Sequence, residues 1–463
     1  MTIVRLGSPI LQVPQEQNRR KYLEKLWVQM ESLIVYMVER CISEALEVEV
    51  SRALGRRAYQ PCEQAAFGSG EAYCGRCRSR DRRRFQRNGH YPRFLDTHWG
   101  RVSIGMPQVI CGCGGAVCID FQLLRPYQRM WDDLEGQIRE RCGQGLSLRQ
   151  TKAELDGLLA SSVGLRKLNE VIHTLAHLAP GQQDTERTDI PPVVRLDGLW
   201  IKMMEATGEE KEDRLGRLRV VKTGVSRPIL VAQGVWPATG RQEILTWLLE
   251  QDEGTQSWQN LLDHLYRLGV VAHNGLQLLI GDGSPGLQSA WQTRFWEVPF
   301  QRCIFHKLRN VRRDLIAPAD LEQGMISTFK WHQVRRTARI WQAPSEQDAY
   351  LRLRQLTQSW QHEQPQALAT LLRDFEQTIS FYAVQAQALR HGQVWPAKAL
   401  RTTSPLEREF RTDRKRLRQS VLFHSHQGWQ AIYGQIQLRK IARRKGVFLD
   451  LHQRDLERQL AVS

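Results

Sequence analysis

The sequence predicts a multidomain protein of the mixed α/β class. Its length of 463 residues suggests about three domains. Hydrophobic residues make up 41% and charged residues 25%, as in globular proteins that bury ordinary cores. Between residues 193 and 317, short apolar runs alternate with helical patterns, which predicts a sheet packed against helices.

The N-terminal part predicts a long helix followed by a small β region. Apolar residues recur with helical spacing from about Gln15 to Leu54. Glycine, arginine and cysteine are then frequent, and Val102 to Met106 alternates as a strand does. We therefore expect a helical and Cys/Arg-rich β region over residues 1–127, giving an α+β arrangement.

Residues 128–180 predict three short helices. A glycine-containing turn, Gly143–Gly145, separates the first two, and Ser147 suits the N-cap of the second. This is the layout of a helix-turn-helix DNA-binding domain, with a plain helical hairpin as the alternative. The polar residues 181–192 end in two prolines and predict a linker.

The pattern after this linker is typical of a ribonuclease-H-like domain. Strands are predicted at 193–204, 217–224 and 227–235, helical segments at 241–267, a strand at 276–282, a helix at 284–295, a strand at 298–305 and a helix at 306–315. Three strands, helix, strand, helix, strand, helix is the order of that fold. We expect its first part at 193–317, a helical insertion at 318–396 and its last part, with C-terminal helices, at 397–463.

The charge balance predicts a polyanionic partner. Lys and Arg total 66 against 49 Asp and Glu, a net charge of +17. Nucleic acid is the first candidate, because neutralised phosphates release counterions. A membrane surface ranks lower, since no apolar run of about 18 residues is present. The N-terminus lacks the pattern of a signal peptide, so we expect a cytoplasmic protein without a disulfide framework.

Three acidic residues are the candidates for catalysis. Asp197 interrupts an apolar strand, Asp282 ends another, and Glu407 follows the helix start at Ser404 and Pro405. Taken singly, a strand-end Asp-Gly is usually a turn and a helical glutamate is usually a surface residue. Together, three carboxylates can hold the pair of Mg²⁺ or Mn²⁺ ions that phosphodiester cleavage uses.

Four stretches carry a resemblance to a known family: Arg87–Pro107, GQGLSLRQ (residues 143–150), residues 281–315 and residues 401–419. The strongest includes Gln301, Arg302, Cys303, His306, Lys307, Arg309 and Asn310. From about residue 50 onward, the chain resembles the bacterial Mutator-type transposases of insertion sequences. Ser404 stands where that family usually has Asn, so Glu409 is the alternative to Glu407.

The resemblance implies a DDE transposase with Asp197, Asp282 and Glu407 as catalytic residues and Mg²⁺ ligands. Such an enzyme binds the terminal inverted repeats of its element, cleaves DNA and transfers the ends to target DNA. It implies a homodimer or higher multimer on double-stranded DNA, in the bacterial cytoplasm at the nucleoid. Cys303 and His306 are an associated motif, read as core residues, as metal ligands, or with His306 orienting a phosphate or acid. A silent DNA-binding regulator and a structure-specific nuclease are the alternative functions.

Two cysteine pairs suggest a second metal. Cys74 and Cys77 are two residues apart and Cys111 and Cys113 one residue apart, with Cys62 and Cys118 nearby. Clustered cysteines in a cytoplasmic protein can build a tetrahedral Zn²⁺ site. The shorter second spacing is not the one typical of a zinc ribbon.

Basic residues near these motifs are the candidates for phosphate contact, which positions DNA without reading its sequence. They are Arg82, Arg83, Arg84, Arg87, Arg149, Lys307, Arg309, Arg411 and Arg414. A solvated charge run is the alternative interpretation.

Overall fold

The computed structural model describes residues 19–65, 72–158, 162–174, 179, 186–417, 423 and 425–447. The chain forms two compact units. The first comprises Met1–Arg141, Ser147–Ile172 and Ala442–Ser463, and the second Cys142–Leu146 and His173–Ile441, as far as these residues are described. Within the described part of the chain, no helix combines the length and the apolarity needed to cross a membrane.

The first unit begins with the predicted helix and β region. Its elements are α1 (Arg19–Leu54), β1 (Tyr73–Cys74), β2 (Phe85–Thr97), β3 (Gly100–Cys111) and β4 (Val117–Cys118). β2 and β3 form an antiparallel hairpin, and β1 pairs with β4. The alternation of β3 buries Val102, Ile104 and Met106 in one core with Leu46 of α1. Residues 15–18 of the predicted helix lie outside the described residues.

Three short helices follow, as predicted. They are α2 (Asp132–Gln144), α3 (Leu148–Leu158) and α4 (Leu165–Thr174). The hydroxyl of Ser147 accepts the backbone N–H of Gln150 at 3.3 Å, and the Gln150 side chain accepts the Ser147 N–H at 3.0 Å. This reciprocal capping fixes the start of α3. The predicted last helical residues, 175–178, and linker residues 181–185 lie outside the described residues.

The second unit contains a mixed sheet and most of the remaining helices. Its first elements are β5 (Val193–Glu212), β6 (Leu218–Trp236), β7 (Arg241–Leu249), α5 (Thr255–Arg267), β8 (Leu278–Gly281), α6 (Pro285–Arg294), β9 (Phe300–Arg302) and α7 (Ile304–Asp314). There follow α8 (Gln323–Ala338), α9 (Glu346–Glu363), α10 (Pro365–Leu372), α11 (Ser380–Arg390), α12 (Ala397–Leu400), α13 (Ser404–Leu417) and α14 (His426–Lys445). The last turn of α14 extends beyond this unit.

The five strands lie in the order β7-β6-β5-β8-β9. β6 is antiparallel to both β5 and β7, whereas β8 is parallel to β5 and β9 is parallel to β8. Successive side chains along a strand point to opposite faces of the sheet and belong to two different hydrophobic cores. Val193 and Leu278 pack with α7 and the helices after it, while Val194 and Leu279 pack with α5 and α6. Helices therefore cover both faces of the sheet.

The structure corrects two predicted elements. The strands predicted at 217–224 and 227–235 are one strand, β6, because the antiparallel pairing with β5 continues through Pro228, which lies opposite Trp200. Residues 241–249, predicted as helical, form β7, because they pair with β6 from Trp236 back to Ile229. The order of three strands, helix, strand, helix, strand, helix is nevertheless present.

Candidate active site

Two aspartates lie side by side where β8 ends and β5 continues. β5 and β8 pair in parallel with Arg195 opposite Ile280. Continuing this register by two residues places Asp197 of β5 beside Asp282, which directly follows β8. Both residues share the face of Arg195 and Ile280, because side chains alternate along a strand. Each acid thus follows the apolar part of its strand, and the two lie at the same level of the sheet.

Two helix starts bring a histidine and a glutamate close together. His306 lies in the first turn of α7, and Glu407 lies in the first turn of α13. His306 Nε2 is 3.3 Å from Glu407 Oε1. His306 also acts electrostatically on Asp197, as do Glu407 and Asp282. His306 therefore lies beside Glu407 and within electrostatic range of Asp197, and Asp282 follows the strand next to Asp197.

The thiol of Cys303 joins these two helix starts. Its buried sulfur accepts the backbone N–H of Thr403 at 3.3 Å and the Thr403 hydroxyl at 3.4 Å. The N–H of Ile304 donates to the carbonyl oxygen of Arg401 at 3.0 Å. These contacts tie the start of α7 to the segment before α13, so Cys303 has the position of a residue that aligns His306 with Glu407.

Asp197 has an environment that disfavours its charge. Burial raises the pKa of Asp197 to about 7, against the opposing charge of His306 and with the support of Glu407 and Asp282. Its Oδ1 accepts the backbone N–H of Gly198 at 2.8 Å, whereas its Oδ2 is buried without a hydrogen-bond partner. Such an oxygen is costly unless a cation or proton meets it.

His306 places a positive charge beside Asp197 and Glu407. Burial acts to lower its pKa, but Cys303, Asp197 and Glu407 together raise the pKa of His306 to about 9. At neutral pH the imidazole is therefore protonated and offsets part of the carboxylate charge.

A further acid, Glu253, lies close to Gly198, next to Asp197, and was not among the residues predicted from the sequence. It follows β7 and precedes α5, and a Cβ atom on Gly198 would come within 2.3 Å of Glu253 Oε1. Burial raises the pKa of Glu253, and the charge of Asp282 adds to this. The available signal was Gly198 itself, because a glycine inside a strand often marks a close approach by another segment.

Glu409, the alternative third acid, has a different set of partners. Its Oε1 accepts the side-chain N–H of Gln233 at 3.2 Å, and its carboxylate is 3.6 Å from Lys440 Nζ. Gln233 in turn accepts a hydrogen bond from the buried Arg195 at 3.1 Å. Glu407, and not Glu409, is among the largest charges that act on the pKa of Asp197. Glu409 thus connects α13 to the sheet.

The carboxylate group fits a hard divalent cation. It offers only oxygen ligands from acids, and the buried Oδ2 of Asp197 has no other partner. The oxygen atoms of these acids are not all close together. Among the described residues, no three acidic side chains have ligand atoms that all lie within 4.8 Å of one another. Carboxylates without a cation between them repel one another, so acids that would hold divalent cations need not be in contact.

The second group of candidate ligands lies in the first unit. It is the cysteine cluster, Cys74, Cys77, Cys111 and Cys113, whose sulfur atoms all lie within 4.8 Å of one another. Among the described residues, this is the one group of three or more His, Cys, Asp and Glu side chains that meets this distance. Cys118 and Cys62 are outside it. The structure therefore brings together the four cysteines predicted as a metal site.

Most of the basic residues predicted to contact DNA are accessible. Those exposed are Arg83, Arg84, Arg149, Arg309, Arg411 and Arg414, and Arg82 and Arg87 are half-buried. The Arg87 guanidinium donates to the hydroxyl of Ser51 at 2.8 Å and to the carbonyl of Arg57 at 3.3 Å.

Lys307 is a correction to that prediction. Its side chain is fully buried, and its ammonium group donates to the carbonyl oxygen of Arg373. Burial lowers the pKa of Lys307 to about 7. The residue lies on the face of α7 that carries Ile304 and Val311, so it is not available to a phosphate.

The chain is similar to known proteins over most of its length. The profile described as "Transposase, Mutator family" matches residues 69–432. The transposase for insertion sequence element ISRM5 of Rhizobium meliloti (strain 1021) is 25% identical over 373 residues, covering 80% of this chain and 78% of that protein. The transposase for insertion sequence element IS406 of Burkholderia multivorans is 24% identical over 392 residues, covering 82% and 84%.

Among solved structures, the Drosophila P element transposase strand transfer complex is similar at a TM-score of 0.39 and 11% identity, over 72% of this chain and 94% of that chain. The family match spans most of the chain. The chain belongs to the Mutator family of transposases, enzymes that cleave DNA and transfer its strands.

Proposed function

We propose that this transposase is of the DDE type, with Asp197, Asp282 and Glu407 as its catalytic acids on a ribonuclease-H-like sheet. It binds the terminal inverted repeats of its own element, cleaves the DNA there and joins the ends to target DNA. One observation supports this proposal above all: the charges of Asp282, Glu407 and His306 act together on Asp197, and His306 lies 3.3 Å from Glu407. The strand order and the pairing of β5 with β8 support the fold assignment.

Mg²⁺, or Mn²⁺ in its place, is the proposed cofactor, held by Asp197, Asp282 and Glu407. When bound, such ions activate the attacking hydroxyl and stabilise the leaving oxygen. The carboxylates offset the charge of the ions beside an anionic DNA backbone. Because Asp197 Oδ2 has no other partner, it is the ligand atom that the protein leaves free for this purpose.

His306 and Cys303 position the third acid. His306 Nε2 lies 3.3 Å from Glu407 Oε1 and restrains that carboxylate while α13 is anchored through Thr403 and Cys303. Because the Glu407 carboxylate is already restrained, it loses less conformational entropy when the cation and substrate bind. This favours the positioning interpretation of the Cys303 and His306 motif over direct metal ligation.

Exposed arginines supply the DNA contacts in this proposal. Arg411 and Arg414 extend from α13, the helix that carries Glu407, and Arg309 lies on the exposed side of α7. In the first unit, Arg149 lies in the first turn of α3, the second helix of the proposed helix-turn-helix. These groups suit phosphates of the inverted repeats and of target DNA. A homodimer or higher multimer is the proposed active form.

We expect Glu407→Gln to reduce cleavage by about a thousandfold or more, as removal of a group that stabilises the transition state does. The measurement uses purified protein, Mg²⁺ and labelled DNA carrying the ends that flank the gene. Wild type should give nicked and joined products. The matched control is Glu409→Gln on the same helix, which should keep cleavage within about tenfold of wild type because Glu409 contacts Gln233 and Lys440 instead.

If Glu409→Gln abolishes cleavage and Glu407→Gln does not, the third acid is Glu409. Tight binding without cleavage by wild type, in either Mg²⁺ or Mn²⁺, would contradict the enzymatic proposal and favour a DNA-binding regulator.

Binding to the ends should weaken steeply with salt. For six or more phosphate contacts, affinity falls roughly 10³-fold between about 50 and 200 mM salt, because binding releases counterions. Titration of labelled ends at several salt concentrations measures the slope, and the mass of the complex gives the number of protomers. An affinity independent of salt would exclude phosphate contacts as its source.

A further inference from the structure

The cysteine cluster has the spacing of a metal–thiolate centre. Cys74 Sγ lies 3.5 Å from Cys113 Sγ, and Cys77 Sγ lies 3.8 Å from Cys111 Sγ. In a tetrahedral site with Zn–S bonds of about 2.3 Å, neighbouring sulfurs are about 3.8 Å apart. The four sulfurs therefore already surround a volume of the right size.

The backbone is shaped to point these sulfurs inward. The N–H of Cys77 lies 3.4 Å from Cys74 Sγ, and the next residue, Arg78, has a φ of 58°. A Cβ atom on Gly115 would lie 2.8 Å from Cys74 Sγ and 3.3 Å from Cys113 Sγ. Each cysteine pair thus sits in a tight turn, and a side chain at Gly115 would displace the sulfurs.

Apart from β3, which ends at Cys111, little regular structure surrounds the cluster. β1 and β4, which flank the cluster, have two residues each. Their core is a small group around Val50, Leu54 and Phe85 of neighbouring elements. Strands this short need additional support. None of the nine cysteines is in a disulfide, so the support is not a covalent cross-link.

We infer that Cys74, Cys77, Cys111 and Cys113 bind one structural Zn²⁺. Four thiolate ligands complete a tetrahedral shell and leave no position for substrate, which separates this site from the catalytic acids. Soft sulfur ligands select Zn²⁺ over Mg²⁺. Arg76 donates to the carbonyl oxygen of Cys113 at 3.3 Å and brings positive charge to the anionic centre.

The ion also fixes the arginine turn Arg82–Arg84. The N–H of Gly112, between two of the ligands, donates to the carbonyl oxygen of Arg84 at 2.7 Å. Asp81 Oδ1 accepts the N–H of Arg83 at 3.1 Å and completes the turn. Zn²⁺ therefore holds Arg83 and Arg84 in one exposed place. That these arginines contact DNA rests on the proposed function, whereas the metal site does not.

The test is the metal content of the full-length protein, purified without chelator and measured by elemental mass spectrometry. We expect one Zn²⁺ per chain in wild type and a loss of most of it in Cys77→Ser. Cys118→Ser is the matched control, because Cys118 is exposed in β4 beside the cluster but is not part of it. It should retain one Zn²⁺. Wild type without bound metal, or equal loss in both variants, overturns the site.

Cys77→Ser would also lose Zn²⁺ if the variant misfolded, so a second measurement is made on the wild type. Zn²⁺ in wild type is exchanged for Co²⁺, and the absorption spectrum is recorded. Strong visible bands with sulfur-to-metal charge transfer support tetrahedral thiolate ligation, whereas weak octahedral bands exclude it. Neither measurement involves DNA, so a protein with Zn²⁺ that does not cleave DNA would contradict only the catalytic proposal.

Discussion

Asp197→Asn is expected to lower cleavage of the element ends by about a thousandfold or more while DNA binding stays nearly unchanged. The substitution preserves the size of the side chain and the oxygen that accepts the Gly198 N–H. It removes the charge that the proposed cations need. Asp197 is not a basic group, so phosphate binding should be little affected.

The measurement compares cleavage and binding on the same labelled ends in the same buffer. Asp263→Asn is the control, because Asp263 is a partly exposed residue of α5 that pairs with Arg294 at 2.5 Å. It should cleave at the wild-type rate, since exposed ion pairs contribute little. Cleavage by Asp197→Asn at the wild-type rate would show that the triad is assigned wrongly. Loss of binding as well would mean that Asp197 supports the fold or the DNA surface.

The placement of the two aspartates could be predicted because it depends on strand pattern alone. Asp197 and Asp282 each end or interrupt a short apolar run, and side chains alternate in a strand whatever packs on it. The sheet register then makes them neighbours. Glu407 was harder to place. Its helix start was visible at Ser404 and Pro405, but its proximity to His306 depends on packing across the fold.

β7 shows where local pattern is insufficient. Its sequence, RQEILTWLL, is a short apolar run that suits a strand or a buried helix equally well. Pairing with β6 decides between them, and this pairing spans Ile229 to Trp236. For the same reason α5 begins at Thr255 and not at residue 241, where the helical segments were predicted to begin.

Prediction from the sequence was wrong about Lys307 and did not find Glu253, for two different reasons. Glu253 lies in a polar turn, where acids are usually solvated, and only the packed structure brings it to Gly198. Lys307 lies in a basic run and was assigned to DNA on charge. Its spacing from Ile304 and Val311 puts it on the apolar face of α7, so helical periodicity was sufficient to find its burial. Arg309, two positions later, is exposed.

Without added divalent ions, Asp197 is expected to stabilise the fold less as pH rises from about 4 to about 8. The pKa of Asp197 is raised from 3.8 to about 7, chiefly by burial. The folded state therefore holds this proton more tightly than the unfolded state.

The direction follows from proton linkage. The free energy of unfolding falls with pH wherever the folded state binds more protons. The contribution of Asp197 is complete below pH 3.8 and is lost as pH rises through about 7. Each pKa unit corresponds to about 1.4 kcal/mol, so the shift of Asp197 corresponds to an effect on the order of 4 kcal/mol.

Denaturant midpoints measured across this pH range, for wild type and Asp197→Asn, test the effect. Other acids also titrate near pH 4, so the difference between the two proteins isolates Asp197. Above pH 7 the variant should be the more stable, because it has no carboxylate to ionise in a buried position. Identical pH profiles would contradict a raised pKa for Asp197.

Adding Mg²⁺ at pH 8 should reverse that order. A ligand that binds only the folded state stabilises it by mass action, and Mg²⁺ meets an ionised Asp197 in wild type but an amide in the variant. Wild type should therefore gain stability while Asp197→Asn does not. Asp197 then lowers stability when the site lacks cations and raises it when cations are bound, as expected of a residue placed for catalysis at the expense of the fold.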